Sequence, residues 1–196
     1  MSKRNTKNAK HPAVLRREFL NTGGQTYLPA AAAVSRFQHE VFKLCSKVVA
    51  KRCDELSSAS GIKLDKHRIS VHPTEWKMKD LFDWAGDADN FGARLPLGKI
   101  AVLHCYISWE YDHANKPKAT AIVSVAFNRR TDSRRMLEEL RAVGDTDVKD
   151  EDYGELCLSE PIDAARFAEV DRLLDRLLTQ WIRLLKKKGG LKASLE

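Results

Sequence analysis

The chain has 196 residues, of which 43% are hydrophobic and 31% are charged, a balance that allows one domain with a buried core. It contains no run of about 20 apolar residues, so we expect no membrane-spanning helix and no membrane partner. The net charge of +7 is concentrated at the ends: the first 20 residues contribute +5, residues 183–196 contribute +4, and residues 21–182 are left with −2.

The four cysteines are widely spaced and form no C-x-x-C pair. Cys45 and Cys53 fall in one predicted helix, about 12 Å apart along its axis, which is too far for one disulfide or one metal ion. No apolar block of the secretory type follows the basic N-terminus. We therefore expect free thiols, no cofactor, no bound metal and a cytoplasmic location.

Residues 1–29 are predicted to form a basic arm that is mostly disordered. The first eleven residues are polar and basic and show no hydrophobic periodicity. A short amphipathic helix can begin at Pro12, and the glycines at positions 23 and 24 are expected to end it.

A long helix is predicted over residues 30–58, where apolar residues from Val34 to Val48 recur at steps of three and four. Further along, the alternation of apolar and polar residues around Ile69 and Val71 predicts a short strand.

A second helix is predicted to begin at Thr74, which is a suitable N-cap residue, and to end at Gly86. The following residues, 87–96, are rich in Asp, Asn and Gly. We expect this segment to be a loop.

The strongest structural signal is a β-hairpin over residues 99–111 and 118–130. Odd positions in both segments are mainly apolar, whereas even positions are mixed, as in half-buried strands. Directly opposed residues of an antiparallel pair share a face, so odd positions must oppose odd positions. We expect Trp109 to lie near Ala121.

A helix is expected directly after the hairpin, capped by Thr131 or Asp132 and running through Arg141. An acidic loop over residues 145–155 and an edge strand over residues 156–158 should follow it.

The last helix is predicted over residues 161–188, with Pro161 in its first turn. It carries a wide apolar stripe that includes Trp181, acidic residues near its beginning and lysines at its end, where each charge favours the helix dipole.

These elements predict an α+β domain over residues 30–188. Its antiparallel sheet of three to five strands is built on the hairpin and packs against the two long helices. Residues 189–196 are predicted to form a flexible tail.

The basic residues indicate a function. We expect a small non-catalytic binding protein, an accessory subunit, that contacts nucleic acid through its basic ends and through an arginine cluster beyond the hairpin. A strand that runs into a helix brings such arginines close to a helix N-terminus, which also favours phosphate. The predicted nucleic-acid-binding residues are Lys3, Arg4, Lys7, Lys10, Arg16, Arg17, Arg129, Arg130, Arg134, Arg135, Lys186, Lys187 and Lys188.

Two alternatives remain open. One is a protein–protein adaptor or a self-associating module, such as a homodimer, that uses the apolar stripe of the last helix. The other is an enzyme without common motifs, with His72 and Glu75 at a strand–helix junction and His104 in the hairpin as its catalytic residues. His104 could line a pocket with Ser124 or Asn128 of the facing strand.

Overall fold

The structure is a computed structural model that describes residues 12–72, 90–111, 117–145, 147–151 and 154–191. The chain divides into two compact units, residues 1–39 and 40–196. Three α-helices lie within the described residues: α1 (Pro12–Ser60), α2 (Arg130–Ala142) and α3 (Val170–Lys188). None of the helices in these ranges combines the length and the hydropathy needed to cross a bilayer.

Helix α1 begins at Pro12, so the prediction that a long helix starts at residue 30 is wrong. It continues through Gly23, Gly24 and Pro29, which were expected to separate two helices. Glycine and proline weaken a helix without forbidding it, and four alanines, the best helix formers, follow Pro29 directly. The predicted disorder of residues 1–11 lies outside the described residues.

The sheet is antiparallel and has six strands, in the order β1-β2-β3-β4-β6-β5. The α+β class is therefore confirmed, with one strand more than the largest number predicted. The strands are β1 (Ser70–His72), β2 (Asn90–Leu97), β3 (Ala101–Tyr111), β4 (Pro117–Phe127), β5 (Lys149–Glu151) and β6 (Glu155–Ile162).

The predicted hairpin is formed by β3 and β4, and odd positions oppose odd positions as expected. The register differs by two residues from the predicted one, since Trp109 pairs with Ala119 and not with Ala121. A shift of two residues leaves every side chain on its predicted face, because the side-chain period of a strand is two. The faces were therefore predictable, whereas the register was not.

Strand β2 lies where a loop was predicted, and it pairs along its whole length with β3. Its apolar residues alternate and are buried, but Gly92 and Pro96 interrupt the pattern in the sequence. Gly92 is required there because a Cβ atom at this position would lie 2.1 Å from the carbonyl oxygen of Cys105. This glycine, which suggested a loop in the sequence, is needed in the strand because the backbones of β2 and β3 approach closely there.

Strand β6 and helix α3 correct the predicted course of the C-terminal region. Pro161 lies in β6, paired with Thr120, and a short 3₁₀-helix (Ala164–Glu169) separates β6 from α3. The prediction of a helix from residue 161 is therefore wrong. Among the described residues, β5 pairs with residues 155–157 of β6 and does not reach Pro161, at a part of the strand where a missing N–H is tolerated. The edge strand on this side is β5, not β6.

The helices supply one side of a core whose other side is the odd face of β3 and β4. Trp181 of α3 is fully buried, and its indole N–H donates to the carbonyl of Val123 at 2.7 Å. The thiol of Cys45 in α1 contacts that of Cys105 in β3, and this hydrogen bond together with burial raises the pKa of Cys105. All four cysteines are free and buried.

The apolar stripe of α3 is part of this core. Its residues are buried or half-buried inside the chain: Val170, Leu173, Leu174, Leu177, Leu178, Trp181, Leu184 and Leu185. The surface that the adaptor alternative assigned to a partner is thus covered by the chain's own sheet and helices.

Two further contacts fix α3. Arg52 of α1 forms a two-pronged ion pair with Asp175, with Nε–Oδ1 and Nη2–Oδ2 distances of 2.8 Å. This hydrogen bonding lowers the pKa of Asp175. Beyond the C-terminal end of α3, Leu191 is fully buried, and its N–H donates to the carbonyl of Ser60 at 3.0 Å. The predicted flexible tail is therefore wrong for residues 189–191, and residues 192–196 lie outside the described residues.

Candidate nucleic-acid interface

Helix α2 begins at Arg130, and only Asn128 and Arg129 separate it from β4. The expected capping by Thr131 or Asp132 is wrong, since Arg129 is the N-cap residue and its side chain makes no capping hydrogen bond. Ser133 is buried and donates to the carbonyl of Arg130 at 2.9 Å. The predicted inner residues of the helix are confirmed as buried: Met136, Leu137 and Leu140.

The buried face leaves α2 with two solvent-facing flanks of different composition. At 100° per residue, Arg130, Arg134 and Arg141 fall within 40° of one another, and we call them the arginine flank. All three are exposed. Within the part of the chain that the structure describes, no ion pair joins any of them to a carboxylate.

The opposite side of α2 is the paired flank, formed by Arg135 and Glu139. Glu139 forms two ion pairs. Its Oε1 lies 3.2 Å from Arg135 Nε, and its Oε2 lies 2.8 Å from Lys188 Nζ of α3. The Lys188 side chain is only 3% exposed, and it also donates to the carbonyl of Gly190 at 2.8 Å. Lys188 therefore connects α2 to α3 and is not available to a ligand.

The other two lysines at the end of α3 differ from each other. Lys187 Nζ donates to the carbonyl of Val143 at the end of α2, where a cation favours the helix dipole. Lys186 is exposed. Of the three predicted lysines, two are thus engaged in contacts between helices.

The structure adds a basic residue that sequence reasoning missed. The amide of Asn128 donates to the carbonyl of Lys99 at 2.6 Å, and its backbone N–H donates to Ile100 at 3.0 Å. These bonds hold the turn before β3 against the segment that leads into α2. Exposed Lys99 is thereby placed next to exposed Arg129, although 30 residues separate them in the chain.

Arg141 was also missed, although its position seven residues after Arg134 is the signal that could have found it. Acidic groups lie close by as well. Glu138 is exposed between the two flanks, and Asp132 is half-buried in the first turn. Both reduce the positive potential of α2, so its basic character is strongest on the arginine flank.

The N-terminal candidates cannot be joined to this surface. Lys3, Arg4, Lys7 and Lys10 lie outside the described residues, and Arg16 and Arg17 belong to the other unit, where Arg17 is exposed. Of the three predicted basic groups, the structure brings together the arginine cluster and the end of α3, with Glu139 between them.

The candidate catalytic residues form no common site within the described residues. His72 is paired with Gly92 of β2, which is paired with Tyr106 of β3, so the backbone positions of His72 and His104 are separated by β2 and by two further residues along β3, about 12 Å in all. Glu75 lies outside the described residues. Among those residues no group of three or more His, Cys, Asp or Glu side chains is arranged to hold a metal ion.

His104 instead belongs to a polar row that crosses the sheet on the face opposite the core. The register places Ser70, Arg94, His104, Ser124, Cys157 and Lys149 side by side. Glu155 Oε1 accepts the hydroxyl of Ser124 and lies 3.2 Å from His104 Nδ1. Because Ser124 donates to Glu155 and not to His104, the serine–histidine bond of a nucleophilic triad is not made. Asn128 lies beyond this row.

Comparison of the chain with protein-family models, with curated proteins and with solved structures finds no match.

Proposed function

We propose that this protein is a non-catalytic nucleic-acid-binding protein that contacts backbone phosphates through the arginine flank of α2. The observation that carries the proposal is the exposure of three guanidinium groups on one side of a rigid helix, none of them paired with a carboxylate of the described residues. Exposed Arg129 and Lys99 extend the same charge beyond the beginning of the helix.

Arginine suits this task because its planar guanidinium donates two parallel hydrogen bonds to a phosphate and is weakly hydrated. An arginine that has no carboxylate partner can bind phosphate without first breaking an ion pair. Arg135 would have to leave Glu139 before it could do the same. The arginine flank is therefore the part of α2 from which a polyanion gains the most.

The test is the salt dependence of binding to a labelled duplex of mixed sequence, measured by fluorescence anisotropy from about 50 to 200 mM salt. The triple variant R130Q/R134Q/R141Q removes three phosphate contacts. We expect it to weaken binding and to reduce the slope of log K against log salt by about 2.7.

The matched control is K47Q/K118Q/R172Q, which removes the same charge from exposed sites on α1, β4 and α3. Its slope should stay close to that of the wild type. The proposal fails if the wild type does not bind at low salt, if binding is indifferent to salt, or if both triple variants lose the same affinity.

A further inference from the structure

We infer that the nucleic acid is double-stranded and that α2 lies along the phosphates of one strand without entering a groove. This rests on the proposed function and names the form of nucleic acid that the arginine flank fits. Three features of the described residues support it: the spacing of the arginines, the positions of the carboxylates of α2, and the burial of the aromatic side chains.

The spacing of the arginines forms a straight and rigid track. The helical rise places Arg134 about 6 Å from Arg130 along the axis and Arg141 about 10 Å further on. A duplex holds the phosphates of each strand in a fixed row and carries one charge per about 1.7 Å of axis, twice the density of one strand. A rigid track gains more from this fixed row than from a flexible single strand, which must be ordered on binding.

The carboxylates of α2 limit how the helix can approach a duplex. Glu138 is exposed beside the arginine flank, and Glu139 is 31% exposed on the paired flank. A helix inserted into the major groove would bring these carboxylates towards the phosphates of both strands. An approach through the arginine flank alone keeps Glu139 away from the duplex, so α2 contacts one backbone and reads no base edges.

The aromatic side chains of the hairpin and of α3 that could stack on bases are buried or packed against other side chains of the chain. Single-stranded nucleic acid is commonly bound by stacking its bases on exposed aromatic rings. Phe127, two residues before Arg129, is 7% exposed, and Trp181 is fully buried. Trp109 lies farther from α2, opposite Ala119 in the hairpin, and stacks on Phe167 with ring centres 6.0 Å apart. The arginine flank itself offers cations, which suit a phosphate backbone, although exposed Glu138 of α2 and Asp150 of β5 lie on the same described surface.

The experiment compares four labelled probes of equal length with the full chain: a DNA duplex, its single strand, a DNA duplex of unrelated sequence, and an RNA duplex of the first sequence. We expect the DNA duplex to bind roughly tenfold tighter than the single strand and the two DNA duplexes to bind alike. R130Q/R134Q/R141Q should remove the preference for the duplex, and the control K47Q/K118Q/R172Q should keep it.

The outcomes separate this inference from the proposed function. Binding to no probe would overturn both. Equal or tighter binding of the single strand, or a strong preference for one DNA sequence, would overturn this inference and leave phosphate contact by the arginine flank standing. Tighter binding of the DNA duplexes than of the single strand supports it, and the RNA duplex shows whether an A-form backbone is also accepted. Thermal unfolding of both triple variants at the wild-type temperature verifies that the losses are not due to misfolding.

Discussion

The two flanks of α2 use the same kinds of residues for opposite purposes. On the paired flank, Glu139 forms ion pairs with Arg135 and Lys188, and the side chain of Lys188, which connects α3 to α2, is almost fully buried. On the arginine flank, Arg130, Arg134 and Arg141 are exposed and have no carboxylate partner among the described residues. A count of basic residues treats both groups as one positive surface. The comparison teaches that a charge serves the fold or a ligand according to the partner that the tertiary structure gives it.

The largest expected effect concerns a second paired site, Arg52 and Asp175, where both side chains are about one-fifth exposed. Replacing Arg52 by Met removes both prongs of the ion pair and also the contact of Arg52 Nη1 with Glu55 Oε1 at 2.8 Å. Among the described residues, Asp175 is then left with Lys51, at 3.5 Å, as its remaining cation. We expect the free energy of unfolding to fall by about 2–3 kcal/mol, measured by urea denaturation. A double-mutant cycle with Asp175→Asn should return a coupling energy above about 1 kcal/mol, and purely additive effects would contradict this.

A smaller loss of stability is expected from Lys188→Met. The substitution keeps an apolar stem in the buried site but removes the ammonium group from Glu139 and from the carbonyl of Gly190. We expect a loss of about 1–2 kcal/mol by urea denaturation. Arg134→Gln on the other flank is the matched control and should change stability by less than about 0.5 kcal/mol. If the two substitutions cost the same, the distinction between the flanks is wrong.

The stability of the paired sites should also depend on pH. The hydrogen bond from Arg52 lowers the pKa of Asp175 in the folded chain, against an opposing effect of burial. Its contribution is therefore fully present above the unfolded value of about 3.9 and is lost as the pH falls through the lower folded pKa. The stability difference between the wild type and Asp175→Asn, followed by urea denaturation at decreasing pH, should shrink in this acidic window. A difference that stays constant there would show that Asp175 is not held ionised by Arg52.

The smallest effect is expected from Glu138→Gln, which removes an exposed carboxylate beside the arginine flank. No ion pair of the described residues is broken, so the free energy of unfolding should stay within about 0.5 kcal/mol. Affinity for the labelled duplex should rise by roughly two- to threefold at low salt, because one repulsive charge is lost. Unchanged or weaker binding would place the nucleic acid away from this flank.

The sequence predicted those parts of the fold that depend on local periodicity. The alternation of apolar residues in the hairpin determines which face each side chain occupies, and the three- and four-residue steps of α2 and α3 determine their buried sides. Prediction from the sequence failed where the conformation of a residue is determined by contact with a residue far away in the chain. Gly92 reads as a loop residue in the chain, but it lies in a strand because the backbone at Cys105 leaves no room for a Cβ atom.

In the candidate interface, too, some residues could be predicted from local spacing and others could not. The arginines of α2 could be found from their spacing in the sequence, and Arg141 could have been added from the same helix. Lys99 could not, because a hydrogen bond between Asn128 and the turn before β3 places it beside Arg129. The engagement of Lys188 by Glu139, 49 residues away in the chain, was equally out of reach.

The sequence by itself determined the α+β class, the hairpin and its two faces, and the presence of many basic residues, since each of these follows from composition and local period. Only the tertiary structure decided the register of the hairpin, the sixth strand, the hydrogen bond from Leu191 to Ser60, and which cations of the described residues remain without a carboxylate. The physical reason is that pairing and burial depend on distances between residues far apart in the chain, and these distances are fixed only when helices and sheet pack together.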